Sequence, residues 1–146
     1  MTDYLTAPIL SDVLRRESRS LLQYVDEAFP WTPPEEQATW DQLTKLIAEE
    51  RKSLTALAHF LDRRRIPLPY LGSFPDFTGV NFVSLDHLLP LLVEHQKKSI
   101  ASLESDLARL SDPEAAKVLG QLLEVERRHL KTLETLAARH TQTTPK

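Results

Sequence analysis

The chain has 146 residues, with 18 Lys and Arg against 21 Asp and Glu, 3 glycines and no cysteine. That length suits one compact domain spanning 1–146, and a net charge of -3 spread over interspersed acids and bases offers no basic field to nucleic acid. The missing cysteines exclude disulfide scaffolds, thiolate metal sites and thiol catalysis, and no apolar run reaches the ~18 residues of a membrane span, so the expected setting is the cytoplasm, with no membrane partner.

Leu, Ala, Glu, Lys, Arg and Gln dominate long segments and prolines fall mostly between them, which predicts an all-α chain. A first helix is expected over 6–29, capped by Thr6 or Ser11 and stopped by Pro30. Its inward stripe is Leu10, Leu14, Glu17, Leu21, Tyr24 and Ala28, so Glu17 is an acid where the period calls for core. Thr32-Pro-Pro-Glu35 reads as a capping box that opens a second helix over 33–65. Its apolar row, from Leu43 and Ile47 to Leu54, Leu57 and Leu61, is interrupted by Glu50, whereas Glu49, about 100° round the helix, is read as solvated.

From 66 to 83 the helical period disappears into a Pro, Gly, Ser and aromatic segment. Extended, such a stretch reaches roughly 55 Å, enough to cross a bundle of ~40 Å helices, so it is expected to be a crossover packed down by Tyr70, Phe74, Phe77 and Phe82. A third helix is expected over 84–110, starting at Ser84 or Asp86. Two phases fit it: one turns Gln96 inward with Leu89, Leu92, Ser99 and Leu103, the other turns His95 inward with Leu88 and Leu92; the first is preferred. Ser111-Asp-Pro-Glu114 is a second capping signature, opening a fourth helix over 113–139 before a frayed polar tail at 140–146. His59 reads as a surface residue, and His87 and His140 as capping or solvated groups near helix ends.

In the fourth helix Glu126 and His129 lie three residues apart, on one face with Leu119, Leu122, Leu133 and Leu136. Each helix thus carries one polar interruption: Glu17; Glu50 with Ser53 one turn on; Gln96; and Glu126 with His129. At 1.5 Å per residue Glu17, Glu50, Gln96 and Glu126 fall ~21–27 Å from the hairpin turns, near mid-bundle. Polar groups meeting in an apolar interior must satisfy one another or bind something.

With two tight hairpins and a long middle crossover, the chain resembles the ferritin-like superfamily, four-helix bundles of the rubrerythrin and bacterioferritin type. In that family an acid from the first and third helices joins a Glu-x-x-His pair from the second and fourth to hold two metal ions. The resemblance implies metal ligation by Glu17, Glu50, Glu126 and His129. Ser53 stands where a histidine is expected, and Gln96, or His95 in the other phase, stands in place of the third-helix acid, as alternative ligands or as groups that orient one. About four good ligands suit one divalent ion, iron, zinc or manganese, and full di-iron oxidase activity is not expected. The alternative is a non-catalytic interaction or scaffold module, a homodimer or the partner of another protein, whose polar layer is metal-free and sets helix register. No nucleophile with a nearby base and no phosphate loop supports a hydrolase or a kinase.

Overall fold

The computed structural model describes residues 4–143, with side-chain surroundings through residue 140. Among the described residues five α-helices form the bundle: α1 (Thr6–Ser18), α2 (Leu21–Ala28), α3 (Gln37–Arg63), α4 (Leu85–Arg109) and α5 (Pro113–Thr143). Among the described residues there is no strand, and no helix is long and apolar enough to cross a membrane.

The two ends of the bundle are fixed by different contacts. Arg64 donates through both terminal nitrogens to Asp112, at 2.8 and 3.1 Å, which sets the end of α3 beside the α4–α5 turn. At the other end Phe82 N–H donates to Ala28 O (2.9 Å) and Trp31 N–H to Val83 O (3.0 Å), which sets the start of α4 beside the α2–α3 connection. The segment between α3 and α4 therefore runs from one end of the helices to the other. Tyr24 holds it in place, with Phe74 edge-on at 5.3 Å, Phe77 at 5.4 Å and the Tyr24 hydroxyl donating to Asn81 Oδ1 at 2.7 Å. Tyr70, expected to pack there, is 90 % exposed, and Phe82 stacks on the likewise exposed Phe29 instead of on the helices.

Apolar side chains form two separate cores. Leu10, Leu14, Leu57, Leu61, Leu103 and Leu119 belong to one. Leu21, Val25, Leu43, Ile47, Leu88, Leu92, Leu133 and Leu136 belong to the other. On α1, α3, α4 and α5 a buried polar residue falls where one cluster gives way to the next: Glu17, Glu50, Gln96, and Glu126 with His129.

Local chemistry departs from expectation at four places. The first helix is two: α1 stops at Ser18, Arg19 leaves helical geometry (φ -109°, ψ 23°), and Ser20 restarts the chain as an extended N-cap (φ -70°, ψ 161°) that accepts from Gln23 N–H. Thr32 does not form a capping box, because its hydroxyl turns back to Pro30 O at 3.1 Å and Pro33 precedes a 3-10 turn, Pro34–Glu36, that has no side-chain cap. α3 ends slightly early, at Arg63, closed by left-handed Arg65 (φ 58°) and a bond from Ile66 N–H to Leu61 O. α5 continues past 139 to Thr143, and the remainder of the expected frayed tail, 144–146, lies outside the described residues. The other caps lie where the sequence suggests: Ser84 Oγ accepts from His87 N–H, and within Ser111-Asp-Pro-Glu114 it is Asp112, not Ser111, whose Oδ1 accepts from Glu114 and Ala115 N–H.

Candidate functional site

Glu17 sits in the last turn of α1 and is 1 % exposed. Its charge is met by Arg16, whose Nε donates to Glu17 Oε2 at 3.2 Å while its terminal nitrogens reach Asp12 (3.0 Å) and Asp106 (2.9 Å). Its other oxygen accepts from the Ser99 hydroxyl of α4.

The break between α1 and α2 furnishes the partners of Glu50. Ser20 Oγ, already accepting from Gln23 N–H, donates its own proton to Glu50 Oε1 at 3.2 Å. Gln23 Nε2 donates to the same oxygen and to Ile47 O, both at 3.2 Å, and Gln23 Oε1 accepts from Arg51. Glu50 Oε2 is buried with no hydrogen-bond partner. Burial, then the nearby Glu17 charge, raises the Glu50 carboxyl to about 8, against the smaller opposing pull of Gln23 and Ser20. At neutral pH Glu50 is protonated.

Glu126 of α5 is 1 % exposed. Its carboxyl is pushed up to about 12, first by burial and then by its hydrogen bond to Glu17 and the charges of Glu17 and Glu50. Ser99 Oγ lies 3.3 Å from Glu126 Oε1, but a hydroxyl has one proton and Ser99 gives it to Glu17. A protonated Glu126 relieves the competition, its single proton being donated to either Glu17 or Ser99. Gln96 is buried and clamps the layer from α4, its Nε2 donating to Glu126 O at 3.0 Å, while Glu126 Oε2 has no partner.

His129 is 1 % exposed, one helical turn from Glu126. Its Nε2 meets Glu49 Oε2 at 3.1 Å, and its Nδ1 is buried without a partner. Burial lowers the imidazole pKa, partly offset by Glu49, so the ring is neutral at pH 7. Because Nε2 faces a carboxylate, Nε2 carries the proton and Nδ1 keeps its lone pair.

Of the residues expected to form the site, Glu17, Glu50, Glu126, His129 and Gln96 are buried together between the two apolar cores. Ser53 is only half-buried, and His95 turns outward, exposed and edge-on to Phe77 at 5.8 Å, so the Gln96 phase of α4 holds. Glu49, read as solvated, is instead the partner of His129. Sequence reasoning also missed Ser20 and Gln23, although Ser20-Leu-Leu-Gln23 is itself the S-x-x-Q pattern of a helix start. Arg16 and Asp106 left no comparable signal.

Among the described residues, the one set of three or more acid and histidine side chains with ligand atoms all within 4.8 Å of one another lies elsewhere, at Glu36, Asp86 and His140. His140 is 7 % exposed, not solvated; its Nδ1 contacts Asp86 Oδ1 and, at 3.4 Å, Glu36 Oε1, and its Nε2 lies 3.3 Å from Thr39 Oγ1. These contacts join the end of α5 to the start of α4 and the entry to α3. The chain matches no protein-family model, and no similar curated protein or solved structure was found.

Proposed function

We propose that this chain is a ferritin-like bundle whose mid-bundle layer binds one divalent cation, iron, zinc or manganese, through Glu17, Glu50, Glu126 and His129. One observation carries the reading: Glu50 Oε2, Glu126 Oε2 and His129 Nδ1 are all buried without a hydrogen-bond partner. Buried polar atoms are nearly always paired, and these three orphans offer two carboxylate oxygens and one imidazole nitrogen in its ligating tautomer; they do not all lie within 4.8 Å of one another, so binding requires the side chains to close on the ion. The donor chemistry fits a cation. Glu50 and Glu126 hold protons that a cation would displace, its charge then compensating the buried carboxylates in their place.

The donor set also limits the chemistry. Ser53 in place of a second histidine and Gln96 in place of a fourth acid leave one nitrogen and three carboxylates, which suits a single ion. A bound ion would act as a Lewis acid beside Ser99, with Gln96 fixing the position of Glu126 through its main chain. The proposed setting is the cytoplasm.

A second reading is favoured by the other half of the same geometry. Glu50 Oε1 has two donors and Gln96 holds a main-chain carbonyl, so the layer already links α2, α3, α4 and α5 without an ion. On that reading the chain is an interaction or scaffold module, and the layer sets helix register.

Metal analysis of untagged protein, grown with added iron, zinc and manganese, separates the two. The first reading requires about one ion per chain, lost in Glu126→Ala and His129→Ala. Stoichiometry near zero in the parent protein establishes the metal-free layer.

A further inference from the structure

Beside the polar layer, a cleft of about 370 Å³ opens between the α1–α2 break, α4 and the crossover segment. At its base lie the buried Glu17 and Gln96 and the half-buried Ser99. Apolar surface comes from Leu21, Leu22, Leu92 and the crossover's Phe77. Three cations line it as well: Arg16, Arg19 and Lys98.

Those cations are not equivalent. Arg16 is consumed by Asp12, Glu17 and Asp106. Among the described residues Arg19 and Lys98 have no carboxylate partner; Arg19 Nη1 reaches only a main-chain oxygen, Ser73 O, at 3.2 Å, and Arg19 Nε is buried with no acceptor at all. A buried guanidinium N–H left unpaired is costly, and an acceptor placed in the adjacent cleft removes the cost. The residues that line the cleft include three cations and a single acid, Glu17, so it is positive over apolar walls. A cation is disfavoured there, and so is a fully hydrated inorganic anion, which would gain nothing from Leu21, Leu22, Leu92 and Phe77.

We infer that this cleft binds a small organic anion, its acid group on Arg19 and Lys98 and its apolar body against Leu21, Leu22, Leu92 and Phe77. The volume is at the low end of the ~300–1,000 Å³ typical of ligand sites, so the body is a short acyl chain or a single ring. The binding needs no cation in the core and stands apart from the proposed function. Where both hold, the ligand lies beside Glu17 and Ser99 at the edge of the metal layer.

Titration of the full chain with phenylacetate and with hexanoate, in the presence of a chelator and followed by two-dimensional amide NMR, tests this. The expected result is saturable shifts at Arg19 Nε–H, Leu22, Leu92 and Ser99, with benzyl alcohol and inorganic phosphate each binding at least about tenfold more weakly. Arg19→Gln lowers phenylacetate affinity by about tenfold or more, as the loss of a charge-assisted hydrogen bond requires. Lys98→Glu, an exposed change that leaves the core intact, lowers it further by reversing the rim charge. Benzyl alcohol binding as well as phenylacetate, or a Lys98→Glu variant of parent affinity, overturns the assignment. The chelator keeps the outcome independent of the metal question, so the cleft and the cation layer can fail separately.

Discussion

His129 Nε2 meets Glu49 Oε2 at 3.1 Å, a carboxylate at the half-exposed edge of α3 holding the proton of an imidazole that is 1 % exposed on α5. The contact decides which nitrogen is left for the interior. With the proton on Nε2, the buried Nδ1 keeps its lone pair, and burial keeps the ring neutral. Glu49→Ala removes the tautomer lock while leaving every buried acid in place. Cation affinity measured by calorimetry is expected to fall by about 10–100-fold, with nitrogen NMR of the metal-free protein showing a mixed tautomer. An unchanged tautomer in Glu49→Ala would show that the contact does not set it.

The path to that pair shows what was legible in the chain and what was not. Helical period located Glu17, Glu50, Gln96, Glu126 and His129, because a single acid or amide in an apolar stripe has nowhere else to point. The same period concealed the break at Arg19 and Ser20, since α2 resumes with Leu21 and Val25 facing the core as an unbroken helix would have them. Glu49 and Arg16 escaped for another reason. Long charged side chains beside a buried stripe reach inward or outward according to the neighbouring helix, and a one-dimensional pattern contains no neighbours. His140 was read as terminal, but its burial comes from Asp86 and Glu36, which are distant in sequence.

The protonated acids make stability depend on pH with an unusual sign. Glu50 is raised to about 8 and Glu126 to about 12, above their unfolded value of 4.5, so the native state holds two protons that the unfolded chain has lost. Unfolding then releases protons, and metal-free stability falls as pH rises from 4.5, through about 8 for Glu50 and beyond that for Glu126. His129 works the other way, its lowered pKa costing stability only below the unfolded value of 6.5. Between pH 6.5 and 8 the acids act alone, each contributing a loss of about 1 kcal/mol per pH unit. Urea denaturation in a chelator is expected to show this decline, and Glu50→Gln to flatten it by about half. Stability rising across that interval would mean that the buried acids are ionised in the native state.

Among the described residues Arg16 is the only cation in direct contact with Glu17, and it divides itself among Glu17, Asp106 and Asp12 at 2.9–3.2 Å. Arg16→Met keeps the aliphatic stem and removes the charge. Glu17 then loses its counter-ion and the largely buried Asp106 keeps only Arg109, at 3.7 Å, so a loss of about 2–3 kcal/mol at pH 7 is expected, less than for a fully buried pair because Arg16 is partly solvated. Arg16→Lys recovers only part of it, since one ammonium cannot replicate a planar fork that reaches three carboxylates. Chemical denaturation of the three proteins checks the order, and equal stability for lysine and arginine would show that geometry at this position is unimportant.

A metal measured in the purified protein has two places to reside, and His140 tells them apart. Glu36, Asp86 and His140 already hold their ligand atoms within 4.8 Å of one another at the end of the bundle, whereas the mid-bundle layer offers orphaned atoms on protonated acids. The end cluster has a sufficient structural role: its contacts secure α5 to the start of α4 and the entry to α3, which is the work of a polar clasp. His140→Ala is therefore expected to leave metal stoichiometry unchanged and to accelerate amide exchange locally, over the last two turns of α5 and the first turn of α4, with exchange around Glu126 unaffected. The opposite pattern, metal lost in His140→Ala and retained in His129→Ala, would move the cation to the clasp and leave the layer as a hydrogen-bonded spacer between the two cores.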